Sequence, residues 1–82
     1  DESNVYFDYS MPYAPTIFYK FPSAESVDIT ITDMNGRVIL SEVNLAKAAN
    51  YFIEKELAAG TYIAIFKTNT EAVRSEKFVV RH

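Results

Sequence analysis

The chain has 82 residues, with eight Lys and Arg against eleven Asp and Glu for a net charge of −3, and no cysteine. A length this short allows one small domain that buries only about 60% of its unfolded surface, which leaves little room for buried polar chemistry. Disulfides and thiolate metal sites are excluded, the mild acidity and singly scattered basic residues argue against a nucleic-acid partner, and no apolar run is long enough to span a membrane.

Val, Ile, Phe and Tyr together supply 26 residues against three Leu, a bias toward strand-formers. Only two Gly and three Pro occur, so the chain reads as folded rather than as a disordered tail. No basic-plus-apolar start marks a signal peptide, and any export signal is expected on a longer precursor. Charge is uneven along the chain. Residues 1–62 carry four basic and nine acidic groups, whereas residues 63–82 carry four basic and two acidic.

Asn4 to Ser10 alternates Val5, Phe7 and Tyr9 against Tyr6, Asp8 and Ser10, the period of two expected of a strand with one buried face. Met11 to Pro15 holds two prolines and reads as a connector, because proline has no N–H to donate to a ladder. Thr16 to Phe21 predicts a second strand, ended by a turn at Pro22 to Glu25. Val27, Ile29 and Ile31 against Asp28, Thr30 and Thr32 predict a third, and Asn35-Gly36 suggests a tight hairpin with two residues at positive φ before a fourth strand over Arg37 to Leu40.

Val43 to Asn50 is too short for an autonomous helix and reads as a loop. Tyr51 to Glu56 suggests a fifth strand whose register is open, with either Tyr51 and Ile53 or Phe52 facing inward. Leu57 to Gly60 makes a bend, Thr61 to Thr68 a sixth strand, Asn69 to Glu71 a turn, and Val73 to Arg81 a seventh. Seven short strands without helical periodicity predict an all-β fold, a seven-stranded antiparallel immunoglobulin-like β-sandwich. Asp1 to Asn4 reads as residual linker, and residues 5–82 as a single domain.

Chemistry is sparse. The lone histidine, His82, lies at the end of the sequence, where it is poorly placed for a catalytic triad. Asp28, Asp33, Glu42, Glu54 and Glu56 offer carboxylates, but a core this small is expected to leave them on solvated strand faces. Asp33, Asn35, Gly36 and Glu42 fall at four positions of a calcium-loop spacing, yet Ile31 stands where the first carboxylate belongs and strands flank the loop, so no metal is expected. Two isolated glycines build no phosphate loop, and no cofactor is expected. Tyr6, Tyr13, Phe18 and Tyr51 are candidates for outward aromatics that would suit a glycan. Lys77, Arg81 and His82 gather around the apolar Phe78-Val79-Val80 at the sequence's end, a segment a receptor can grasp.

Three segments carry a family resemblance: Ile29 to Val38 with its Asp33-Met34-Asn35-Gly36-Arg37 hairpin, Leu57-Ala58-Ala59-Gly60-Thr61-Tyr62-Ile63, and Glu76-Lys77-Phe78-Val79-Val80-Arg81. In this order and at this spacing the sequence resembles the C-terminal sorting domain of the type IX (Por) secretion system of Bacteroidetes, over about residues 16–82. The Pro-Asn-Pro element that opens many members is absent, with Met11 to Pro15 in its place, and His82 stands where a basic residue commonly ends the chain.

The resemblance implies a non-catalytic address. It implies that cargo crosses the periplasm, that the outer-membrane translocon binds the sandwich, and that a sortase-like peptidase removes it as cargo reaches the cell surface or is secreted. By the match, Gly60, Tyr62, Lys77, Val79, Val80 and Arg81 form the signal read by the translocon, and Asp33, Asn35, Gly36 and Arg37 form the hairpin motif. The last strand would offer main-chain pairing and charge to a partner, and an uncovered edge there favours self-association. Two other readings compete: a glycan- or surface-binding accessory β-sandwich, and a structural spacer domain.

Overall fold

Val27, Ile29 and Ile31 lose all solvent contact while Asp28 and Thr30 between them stay partly exposed, so the two-residue period of the sequence becomes one buried and one outer face. The computed structural model describes residues 3–10, 14–70 and 73–81. Within them the strands are β1 (Asn4–Asp8), β2 (Thr16–Lys20), β3 (Val27–Asp33), β4 (Val38–Leu45), β5 (Ala48–Phe52), β6 (Gly60–Thr68) and β7 (Arg74–Val80). All pairings are antiparallel, and no helix forms among the described residues. One sheet has the order β1-β2-β5, the other β4-β3-β6-β7.

The two sheets share one core. Ile17 and Tyr19 of β2 meet Val27, Ile29 and Ile31 of β3, Tyr62, Ala64 and Phe66 of β6, and Phe78 and Val80 of β7. Rings bridge the sheets: Tyr19 and Phe21 lie 6.2 and 5.8 Å from Phe66, and Phe7 lies 5.2 Å from Phe78. Each large aliphatic residue buried this way contributes about 1.5–3 kcal/mol of transfer free energy. The buried tyrosines keep partners, since Tyr19 Oη donates to the Ala46 carbonyl at 2.7 Å and Tyr62 Oη to the Ala58 carbonyl at 2.6 Å.

Two expectations are corrected. The stretch read as a loop from Val43 to Asn50 is mostly strand: β4 runs on to Leu45, opposite Val27, and β5 begins at Ala48, opposite Lys20. Asn44, at φ 60, sits at the bulge where β4 shifts register against β3, while its amide donates to Asp28 Oδ1 at 2.9 Å, and Ala48 and Ala49, poor strand-formers alone, are held by pairing with β2. The predicted fifth strand is therefore displaced toward the N-terminus and ends at Phe52.

The second correction concerns the hairpin. Gly36 has φ 84, but Asn35 does not have positive φ. Gly36 N–H donates to the Asp33 carbonyl at 3.1 Å and Asp33 N–H to the Arg37 carbonyl at 3.0 Å, which encloses a three-residue loop of the turn-plus-glycine-bulge kind. Asp33 explains the change, because its carboxylate accepts from the Asn35 and Arg37 amides and stabilises the longer loop.

The register left open in the fifth strand is resolved. Tyr51 and Ile53 pack against the core, and Phe52 points out with 62% of its surface exposed. The Met11 to Pro15 connector and the turn at Asn69 to Glu71 fall partly outside the described residues, as does His82.

Candidate functional site

The three sequence motifs are far apart in the chain but meet at one end of the four-stranded sheet. Asp33, which opens the hairpin, pairs with Tyr62 on β6, and Tyr62 pairs with Phe78 on β7. Gly60 lies opposite Val80 and Thr61 opposite Val79, so the bend motif and the final motif are direct cross-strand neighbours. The next row runs across all four strands through Val38, Thr32, Ile63 and Lys77.

Alternation on β7 sorts the candidate residues by direction. Phe78 and Val80 are buried, whereas Lys77, Val79 and Arg81 are exposed on the outer face. Tyr62 is also buried, stacked on Phe78 with ring centroids 5.6 Å apart and tied by its hydroxyl to Ala58. Tyr62 and Val80 thus shape the end of the sheet from within. Lys77, Val79 and Arg81 are the side chains a partner can touch. Gly60 begins β6 at φ 154, a region that L side chains rarely adopt, with no neighbour within 4 Å of an added Cβ. Its requirement is conformational rather than steric.

The hairpin is built around one carboxylate. Asp33 Oδ1 accepts from the amides of Asn35 at 2.9 Å and Arg37 at 3.0 Å, and Oδ2 pairs with Arg37 Nε at 3.2 Å. These contacts, led by the Arg37 amide, hold the Asp33 carboxyl below its usual pKa. Arg37 itself stays 79% exposed, so the ion pair fixes the loop without burying the charge. The motif therefore presents a rigid turn with a guanidinium at its surface, at the same end of the sheet as Lys77 and Arg81.

β7 is also an edge. It pairs with β6 on one side, and no described strand lies on the other. Arg74 and Glu76 at its opposite end form a 2.8 Å ion pair, half-exposed, absent from the sequence reading although residues two apart on a strand share a face.

The other candidates are dispersed. Asp28 is spent on the Asn44 amide. Glu42 and Glu54 line an open groove of about 390 Å³ with Leu40, Tyr51, Phe52 and Lys55. Burial first, then the two carboxylates, pushes the Tyr51 phenol up. Among the described residues, no three His, Asp or Glu side chains are grouped to hold a metal. Of the aromatics expected to face outward, Tyr6 and Phe18 do so, Tyr51 turns inward, and Tyr13 lies outside the described residues.

Fold and site together define a small antiparallel β-module whose three motifs gather at one end of a four-stranded sheet, with exposed basic side chains on its edge strand β7. The chain belongs to the family of secretion system C-terminal sorting domains, whose model matches residues 9–81 and so takes in every strand from β2 onward. No curated protein and no solved structure matches it. Membership supports a role as a sorting signal in type IX secretion and implies passage through that pathway to the cell surface or to secretion. Domains of this family are non-catalytic in general.

Proposed function

We propose that residues 5–82 form one immunoglobulin-like sorting domain, with residues 1–3 the remainder of a linker whose expected fourth residue, Asn4, instead opens β1 opposite Lys20, and that the outer-membrane translocon of the type IX system reads the end of the sheet where the hairpin, bend and β7 lie. The observation that carries this reading is the placement of Lys77, Val79 and Arg81 on the exposed face of an edge strand, at the same end of the sheet as the hairpin that presents Arg37. An edge strand offers unpaired main-chain groups to a partner strand, and alternate side chains supply selectivity. Tyr62 and Val80 act from within, and Gly60 through its backbone conformation, by holding β6 and β7 in the register that displays those residues. On this reading the domain transits the periplasm, docks at the translocon, and is released from its cargo by a sortase-like peptidase. The same edge admits a second copy of the domain when no translocon is present.

The test fuses residues 1–82 behind a signal peptide and a reporter in a host that has this secretion system. Lys77→Glu together with Arg81→Glu is expected to abolish surface delivery while leaving the thermal unfolding of the domain nearly unchanged, because both side chains are exposed. Undiminished delivery by the doubly reversed domain would favour the spacer reading and refute this one.

A further inference from the structure

β7 differs from the other free edges in its regularity. Its pairing with β6 runs without a register shift from Gly60 opposite Val80 to Phe66 opposite Arg74. β4, at the other edge of the same sheet, is interrupted by two register shifts and by Asn44 at φ 60, the kind of bulging that guards an edge against a further strand. β1 and β5, the edges of the smaller sheet, are five residues each against seven in β7. Every second residue of β7 turns its N–H and C=O away from β6, because antiparallel bonding to one neighbour uses only alternate residues. β7 is therefore the edge best built to template a strand.

Its outer face carries a charge pattern that the domain leaves unanswered. Lys77, Val79 and Arg81 are exposed in alternation, so two cations flank one valine and lie four residues, about 13 Å, apart. On β6 the residues opposite and diagonal to Lys77 are Thr61, Ile63 and Ile65, none of them acidic. Arg37 and Arg74 are paired with Asp33 and Glu76, whereas no described carboxylate pairs with Lys77 or Arg81. A second copy fits this row less well than an acidic strand. Pairing centred on Lys77 sets it opposite its own equivalent, pairing centred on Val79 sets it opposite Arg81, and like charges directly opposite destabilise a sheet.

We propose, on the reading that the secretion machinery takes up β7, that the partner supplies an extended acidic–x–apolar–x–acidic segment. It adds to β7 as an antiparallel strand, like every pairing already in the sheet, with its carboxylates opposite Lys77 and Arg81 and its apolar residue opposite Val79. The experiment titrates the 82-residue chain with two capped peptides, Thr-Glu-Thr-Val-Thr-Glu-Thr and Thr-Lys-Thr-Val-Thr-Lys-Thr, each to millimolar concentration, and follows backbone amides by NMR. The acidic peptide is expected to give saturable shifts along Arg74 to Val80 and to slow hydrogen exchange at alternate residues of that strand, with β4 unaffected. Lys77→Glu with Arg81→Glu is expected to reverse the preference, weakening the acidic peptide about tenfold and admitting the basic one, since two cross-strand pairs turn from attractive to repulsive. Absence of saturable shifts with the acidic peptide overturns the proposal, as does equal binding of both peptides by the unaltered chain. Shifts in the same amides on raising the concentration of the chain alone overturn it in favour of a second copy. Surface delivery of the reporter is read separately. Delivery lost with the double reversal while the peptides are not discriminated leaves the sorting reading standing and overturns the acidic partner alone.

Discussion

Tyr62 links the bend, the core and the last strand through one side chain. Its ring is 8% exposed and stacks on Phe78, and its hydroxyl reaches back four residues to the Ala58 carbonyl. These two functions can be separated. Tyr62→Phe keeps the ring and removes the hydrogen bond, and is expected to cost about 0.5–1.5 kcal/mol, the net worth of a typical intramolecular hydrogen bond. Tyr62→Ala removes the ring from between β6 and β7, and is expected to cost about 3–5 kcal/mol, as large aromatic truncations in cores do. Urea unfolding of both variants checks the ratio. Equal losses would mean that the hydroxyl, not the packing, holds the bend.

At the scale of the element, the Asp33 to Arg37 hairpin and β7 work differently. The hairpin is rigid because one carboxylate accepts three donors from the loop it closes. Since folding lowers the Asp33 pKa, the stabilisation it supplies is present above the ordinary 3.8 and is lost as pH falls through the lower folded value. An NMR titration is expected to place the Asp33 carboxyl midpoint below 3.8, with the Asn35 and Arg37 amides shifting at the same midpoint. A midpoint at the ordinary value would contradict the hydrogen-bonded loop. β7 owes its direction to alternation alone. Phe78 and Val80 anchor it in the core, and that anchoring turns Lys77, Val79 and Arg81 outward. Side-chain chemistry on the displayed face is therefore independent of stability, which is why charge reversal there is the informative change.

For the whole molecule, the aromatics that join the sheets set an alkaline limit. Burial raises the phenol pKa of Tyr19 and of Tyr51, the latter assisted by Glu42 and Glu54. A raised folded value means that the contribution is fully present below the ordinary 10.0 and is lost as pH climbs through the folded values. Stability measured by urea unfolding is expected to fall above that point, in step with tyrosinate absorbance, and Tyr19→Phe is expected to blunt the fall. Stability that stays level while the tyrosines ionise would place both phenols in water. The uneven charge of the chain also acquires a location at this scale. The basic surplus of residues 63–82 reaches the surface through Lys77 and Arg81 on one edge, while Glu42 and Glu54 lie by the open groove between β4 and β5.

Much of this architecture is written locally. Alternation over Val27 to Thr32 and Thr61 to Thr68 needs only side chains of opposite polarity on a pleated backbone, and it specifies strands wherever one face can be buried. The motifs of the sorting family are likewise legible as residue strings, because Asp33, Gly36, Gly60 and Tyr62 each answer a local backbone or packing demand. Three features are not local. Ala48 to Asn50 becomes a strand only because β2 pairs with it, and Phe52 faces outward only because that pairing selects a register. Asn35 lacks the positive φ its dipeptide suggests because Asp33 closes a longer loop. By itself, then, the sequence determined an all-β chain carrying three sorting motifs. The tertiary structure decided that these motifs adjoin, since Asp33, Tyr62 and Phe78 become neighbours through hydrogen-bonded register between strands, a relation that no single segment contains.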